Sequence, residues 1–192
     1  MSPLIDRDDS LLVVVDAQPG FNSYPDLDPA DAAAAAQALE RAAWLARVAA
    51  ALGIPAVVTE EDPAKNGPTA DDIRRALPTG TQAFAKATFG LAGTPEILAA
   101  VRATGRGTAV LVGFETDVCV AQSAIGLLEH ALRAVIVEDA TFSPGEMHLR
   151  GLARAASAGV ELNHAKGVAY EWARELDTSR AVLDVSDAPL RL

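Results

Sequence analysis

Three side chains suited to nucleophilic and acid–base chemistry each follow a short apolar run. Asp16 comes after "LLVVV", Lys86 after "TQAFA", and Cys119, the single cysteine of the chain, shortly after "TAVLVG". A thiol near the start of a helix is a candidate nucleophile, and both the helix N-terminus and a nearby lysine favour its thiolate form. An aspartate within reach would accept the thiol proton and later return it to a leaving group. The three residues together predict covalent catalysis.

Each of these residues also has a plainer interpretation when it is taken alone. Asp16 could be a turn or cap residue, Lys86 a solvated loop lysine, and Cys119 a small buried apolar residue. The catalytic interpretation therefore depends on whether the fold brings the three together.

The elements that would position these residues alternate regularly along the chain. Apolar, β-branched runs are followed by amphipathic helical stretches, the pattern of an α/β fold with a parallel sheet covered on both faces. Strands are predicted at 11–16, 54–60, 81–86, 108–113, 133–139 and 160–165. We therefore expect a three-layer α/β/α fold with a six-stranded parallel sheet. Ligands of such sheets bind outside the carboxyl ends of the strands, where the three candidate residues lie.

Composition and charge narrow the classes of partner. The formal charge of −10 argues against nucleic acid and anionic membrane surfaces. No apolar run approaches the ~20 residues of a membrane span, and the N-terminus lacks the pattern of a signal peptide. A single cysteine cannot form an intrachain disulfide, which fits a cytoplasmic location. We expect one domain over residues 1–192, with 177–192 as a tail that could form an arm onto a neighbouring subunit.

The chain resembles the isochorismatase-like cysteine hydrolases from residue 11 to about residue 175. Three motifs, in order and on the expected elements, carry the resemblance. They are D-x-Q-x-x-F (Asp16, Gln18, Phe21), a lysine followed by an aromatic residue and a threonine (Lys86, Phe89, Thr94), and G-x-x-T-x-x-C-V (Gly113, Thr116, Cys119, Val120).

The resemblance implies a strand order of 3-2-1-4-5-6 and a role for each triad residue. Cys119 would be the nucleophile, Asp16 the general base and Lys86 the third member. A non-proline cis peptide would fall between Phe114 and Glu115, and the backbone N–H groups of Glu115 and Cys119 would form an oxyanion hole. The resemblance also implies a homo-oligomer.

A small-molecule substrate needs a pocket wall, and five residues are candidates for it. They are Gln18, Phe21, Tyr24, Phe89 and Thr116. For the aromatic residues, packing in the core or within loops is an equally good interpretation. Glu115 and Asp117 flank the predicted turn and would either repel an anionic substrate or point to solvent.

The sequence departs from the metal-dependent nicotinamidases of this family. Those enzymes carry an aspartate and histidines after the second strand, whereas this chain has Glu60, Glu61 and Asp62 there and no histidine. We therefore predict neither a metal nor a cofactor, although this acidic loop could hold a hard cation weakly.

The retained cysteine favours one reaction over its alternatives. Cys119 predicts hydrolysis of a small amide-type C–N bond through a thioester. An isochorismatase-type ether hydrolase, which needs no thiol, and a non-catalytic or thiol-reactive protein on the same fold remain as alternatives. A dinucleotide-binding domain is disfavoured because "DAQPGF", after the first strand, lacks the G-x-G-x-x-G pattern.

Overall fold

A single parallel sheet organises the protein, whose computed structural model describes residues 3–22 and 27–183. The strands are β1 (Ser10–Val15), β2 (Ala56–Glu61), β3 (Ala83–Lys86), β4 (Thr108–Phe114), β5 (Arg133–Phe142) and β6 (Glu161–Asn163). Their order is β3-β2-β1-β4-β5-β6, and every neighbouring pair is parallel. The predicted six-stranded sheet and its 3-2-1-4-5-6 order are confirmed.

Helices connect the strands and cover the sheet. They are α1 (Pro29–Ala51), α2 (Pro63–Asn66), α3 (Asp71–Ala76), α4 (Pro95–Ala103), α5 (Ala121–Glu129), α6 (Met147–Ser157), α7 (Ala165–Ala173) and α8 (Leu176–Val182). Short 3₁₀ turns lie at Arg7–Asp9, Pro19–Asn22 and Leu91–Gly93. Within the described residues, no helix combines the length and apolar composition needed to cross a membrane.

Strand β1 lies at the centre of two apolar layers. Leu12 and Val14 pack on one face of the sheet with residues of α1, α3 and α7. Leu11, Val13 and Val15 pack on the other face with residues of α4, α5 and α6. Burial on both faces explains why the strand is continuously apolar rather than alternating.

The structure departs from the predicted elements in three places. A π-helical turn, Thr116–Val120, precedes α5 where a regular helix is predicted. Strand β5 continues to Phe142, and its register against β4 shifts between Leu111 and Gly113. Helix α8 includes residues 177–182 of the predicted tail 177–192, while residues 184–192 of that tail lie outside the described residues.

Candidate active site

The strand registers bring the candidate residues to one edge of the sheet. Val15, the last residue of β1, pairs with Thr59 on β2 and with Gly113 on β4. Glu61, the last residue of β2, pairs with Lys86 on β3. Because the strands are parallel, their carboxyl ends meet here, so Asp16 after β1 and the turn after β4 become neighbours.

Asp16 and Lys86 form a fully buried ion pair. Asp16 Oδ2 lies 2.6 Å from Lys86 Nζ, and neither side chain is exposed. Thr59 Oγ1 donates a hydrogen bond of 2.8 Å to the other carboxylate oxygen of Asp16. Burial raises the pKa of Asp16, although the ammonium of Lys86 and the hydroxyl of Thr59 partly offset this effect. Asp16 therefore binds a proton more readily than an ordinary aspartate.

Lys86 also holds the loop that follows β3. Its ammonium donates to the carbonyl oxygens of Thr88 and Phe89, at 2.8 and 3.0 Å. One cation thus fixes both the carboxylate at the end of β1 and the backbone after β3. These hydrogen bonds and the ion pair with Asp16 compensate for the burial of the ammonium, which would be costly for an unpaired lysine.

Cys119 lies in the π-helical turn, and its thiol hydrogen bonds to a carboxylate. The side chain is buried, and Sγ donates to Glu61 Oε2 over 3.1 Å. Burial raises the pKa of the thiol, the carboxylates of Asp16 and Glu61 raise it further, and the Lys86 ammonium lowers it. Lys86 thus favours the thiolate, as predicted, but burial and the two carboxylates outweigh its effect, so the thiol needs a proton acceptor.

Gln18 fixes the position of Glu61. The Gln18 amide accepts a hydrogen bond from the backbone N–H of Glu61 (2.8 Å) and donates to the carbonyl oxygens of Glu61 (3.1 Å) and Gly67 (2.5 Å). Asn66 donates a further bond, 2.9 Å, to the Glu61 carbonyl. Gln18 is fully buried with its amide occupied by backbone groups, so it supports the end of β2 rather than lining a substrate pocket.

The peptide bond between Phe114 and Glu115 is cis, and it leads into the turn that carries Cys119. The carbonyl oxygen of Glu115 accepts hydrogen bonds from the N–H groups of Val118 (3.3 Å) and Val120 (3.0 Å). Phe114 packs edge-on against Phe142, with ring centroids 5.8 Å apart. Burial raises the pKa of Glu115, and the carboxylates of Asp117 and Glu61 raise it further.

The remaining pocket candidates lie in different environments. Phe21 is buried in an apolar cluster with Phe114 and Phe142. Thr116 is buried and shares a 2.9 Å hydrogen bond with His148 Nδ1. Phe89 is 55% exposed beside the Lys86 loop, where a ligand could reach it. Tyr24 lies outside the described residues.

Two residues of the site, Thr59 and Glu61, have contacts that sequence reasoning missed. They stand two positions apart at the end of β2, so their side chains share one face of the strand. Glu60, between them, points the other way and accepts hydrogen bonds from the N–H and hydroxyl of Thr69. The alternation of strand side chains was the available signal, but it does not say which face carries the site.

Three side chains of the site offer ligand atoms of the kind that hold a metal ion. Ligand atoms of Asp16, Glu61 and Cys119 all lie within 4.8 Å of one another. The Lys86 ammonium already contacts the Asp16 carboxylate and lies 3.8 Å from Glu61 Oε2, so a positive charge is present there. The carboxylates of the acidic loop suggested as a cation site have different partners. Glu60 accepts a hydrogen bond from Thr69, whereas Glu61 accepts one from the Cys119 thiol.

Comparison with known proteins shows what this chain is similar to. It is 30% identical over 137 residues to isochorismatase domain-containing protein 2 of Bos taurus, an alignment covering 70% of this chain and 65% of the bovine protein. The chain thus spans less than two thirds of that relative's length.

Two solved structures share the fold. The structure of YcaC from Escherichia coli, described as an octameric hydrolase of unknown specificity, superposes with a TM-score of 0.84 at 24% identity, covering 95% of this chain and 88% of that one. N-carbamoylsarcosine amidase from Thermoplasma acidophilum superposes with a TM-score of 0.66 at 22% identity, covering 82% and 96%.

The match to a family covers most of the chain. The family described as Isochorismatase domain matches residues 10–166, which include all six strands and every residue of the site described above. The chain therefore belongs to the isochorismatase family.

Proposed function

We propose that the protein is a hydrolase that cleaves the C–N bond of a small amide through a thioester on Cys119. The observation that carries the proposal is the meeting of a buried thiol, a carboxylate and an ammonium at one edge of the sheet. The amidase from Thermoplasma acidophilum, which has the same fold, supports the choice of an amide.

The first half of the reaction transfers the acyl group to sulfur. Asp16 takes the proton of the Cys119 thiol, and Lys86 stabilises the negative charge in its neighbourhood. The thiolate attacks the substrate carbonyl carbon, and the C–N bond breaks as Asp16 gives the proton to the leaving nitrogen. The raised pKa of Asp16 suits this role, because the carboxyl group must both accept and release a proton.

The second half frees the enzyme. Asp16 takes a proton from a water molecule, whose oxygen attacks the thioester carbonyl, and the C–S bond breaks. The proton returns from Asp16 to the departing thiolate, so the products are a carboxylic acid and an amine. By the resemblance, the N–H groups of Glu115 and Cys119 bind the oxyanion in both halves, and each such donor is worth about 3–4 kcal/mol.

The test is intact-mass spectrometry of the wild type and of Cys119→Ala, mixed with a panel of small amides. We expect the wild type to gain the mass of an acyl group and to release the amine, and the variant to do neither. A variant that still turns over substrate would exclude the thioester. Thiol-independent turnover of a vinyl ether would favour the isochorismatase-type alternative.

We also propose a homo-oligomer in the cytoplasm. The octamer of the E. coli structure supports assembly, and a reducing compartment keeps the Cys119 thiol free, as the mechanism requires. Light scattering should give a mass that is a multiple of the 19.9 kDa chain, and a value of 19.9 kDa would contradict assembly.

A further inference from the structure

The nucleophile lies beside a carboxylate that no cation fully neutralises. Glu61 Oε2 is 3.1 Å from Cys119 Sγ. The nearest ammonium, that of Lys86, is 3.8 Å from Glu61 but only 2.6 Å from Asp16. The carboxylates of Asp16 and Glu61 therefore share one ammonium group, and the closer carboxylate, that of Asp16, is neutralised more fully. The excess negative charge lies on Glu61, on the side of the thiol.

Two further carboxylates add to this charge. Glu115 directly precedes the turn that carries the thiol and Asp117 lies within it, so both carboxylates are close to Glu61, and Asp117 and Glu61 act on Glu115 as like charges. Asp117 accepts a hydrogen bond of 2.7 Å from the neutral Ser143 hydroxyl. Among the described residues, 3–22 and 27–183, the ion pair that involves Glu61, Glu115 or Asp117 is the contact between Glu61 and Lys86.

Glu61 lies where a substrate must bind. A carbonyl carbon approaches to about 3–3.5 Å from the attacking sulfur, so its substituents come within reach of a carboxylate oxygen 3.1 Å from that sulfur. The Glu61 backbone is clamped by Gln18 and Asn66, which keeps the residue beside the thiol. The side chain is 23% exposed, unlike Asp16, so a ligand can contact it.

We propose that the site accepts small amides bearing a positive charge next to the scissile carbonyl, and that the Glu61 carboxylate binds that charge. An anionic neighbour of the carbonyl would meet Glu61 at short range and be repelled, whereas a protonated amine would replace the thiol as its hydrogen-bond donor. The proposal rests on the proposed function for the amide and adds the charge of its substituent.

The charge preference can be measured without knowing the substrate. Cys119 is modified with two matched methanethiosulfonates, one bearing a trimethylammonium group and one a sulfonate. The rate with the cationic reagent is divided by the rate with the anionic reagent. This ratio is then normalised by dividing it by the same ratio measured for 2-mercaptoethanol. The ratio cancels any change in thiol pKa, because both reagents react with the same thiolate. We expect a normalised cation-to-anion ratio of about 10 or more, since one charge within a few ångströms suffices for this.

A pair of variants assigns the preference to Glu61. Glu61→Gln keeps the shape and removes the charge, and the ratio should fall several-fold. Glu129→Gln removes the same charge from the exposed far end of α5, about 15 Å along the helix from the thiol, and should leave the ratio unchanged. A wild-type ratio near 1 would overturn the proposal, and so would a ratio in Glu61→Gln equal to that of the wild type. The first of these outcomes needs no variant.

The outcome is separable from that of the proposed function. A strong preference for the cationic reagent without any acyl adduct from amides would contradict the proposed hydrolysis and leave the charge preference standing. Adducts formed from anionic amides, with a normalised ratio near 1, would support the hydrolysis and overturn the charge preference.

Discussion

At the scale of single residues, the two carboxylates beside the Cys119 thiol and the Lys86 ammonium have different surroundings. Asp16 is fully buried, bonded to Thr59 and paired with Lys86 at 2.6 Å. Glu61 is partly exposed and accepts the thiol hydrogen bond. The buried carboxylate is therefore suited to proton transfer, and the exposed one to contact with ligand.

Replacing Glu61 by glutamine should make the thiol easier to ionise. The carboxylate of Glu61 raises the pKa of Cys119 by accepting the thiol hydrogen bond, and glutamine removes that negative charge. The pH profile of alkylation by neutral iodoacetamide should therefore shift to lower pH in Glu61→Gln and stay unchanged in Glu129→Gln. A shift to higher pH would instead mean that Glu61 assists ionisation of the thiol.

Removing the charge of Lys86 should destabilise the fold. Lys86→Met leaves Asp16 buried without its cation, and breaking a buried pair in this way costs about 3–5 kcal/mol. The double variant Asp16→Asn/Lys86→Met should lose clearly less than the sum of the single losses, because no buried charge remains. Urea denaturation at pH 7 measures all four proteins, and additive losses would show that the pair does not interact.

The free energy of unfolding of the Lys86→Met variant should also depend on pH. Without the ammonium, the pKa of Asp16 in the folded state rises further above its unfolded value of about 3.9. A carboxyl group whose pKa is raised by folding destabilises the folded state as pH increases through that window. The free energy of unfolding lost in Lys86→Met should therefore be smallest near pH 4 and grow toward neutral pH.

At the scale of elements, close backbone contacts fix the turn that carries Cys119. At Gly113, φ is +118°, and a Cβ would collide with the carbonyl oxygen of Val15 on β1. At Gly151 on α6, a Cβ would lie 2.5 Å from the Cα of Asp117 in the π-helical turn. The lack of side chains at both positions lets β1 and α6 enclose the turn.

Gly151→Ala should therefore be destabilising although alanine is the better helix former. The new methyl group meets the backbone of Asp117, which cannot rotate away, so we expect a loss of about 1–3 kcal/mol in urea denaturation. Gly126→Ala is the matched control, since a Cβ there would lie 3.1 Å from the Cβ of Ala92 and should change stability by less than about 1 kcal/mol. Equal effects of the two variants would mean that α6 tolerates the shift.

The elements differ in how far the sequence predicts them. The strand order needed the family resemblance, but the sheet itself follows from continuous apolar runs such as that of β1, because burial on both faces leaves no other composition. The π-helical turn was not predictable, since its five-residue hydrogen bonding leaves the same apolar pattern as a regular helix start. The thiol contact with Glu61 was missed because it depends on the registers of β2 and β4 against β1, which no local pattern encodes.

At the scale of the whole molecule, the net charge of −10 extends the local potential of the site. Such a field raises the encounter rate of small cations and lowers that of anions, over distances set by salt. The Debye length falls from about 30 Å at 0.01 M salt to about 3 Å at 1 M, so salt separates the field of the whole chain from the contact with Glu61.

Salt should therefore reduce the charge preference of the thiol without abolishing it. Between these two salt concentrations, modification by the trimethylammonium reagent should slow, modification by the sulfonate should accelerate, and methyl methanethiosulfonate, which is neutral, should change little. The preference remaining at 1 M should come from Glu61, whose carboxylate lies 3.1 Å from the sulfur, and should disappear in Glu61→Gln. If the wild-type ratio instead falls to that of 2-mercaptoethanol at 1 M, the preference arises from the overall charge and Glu61 does not select the ligand.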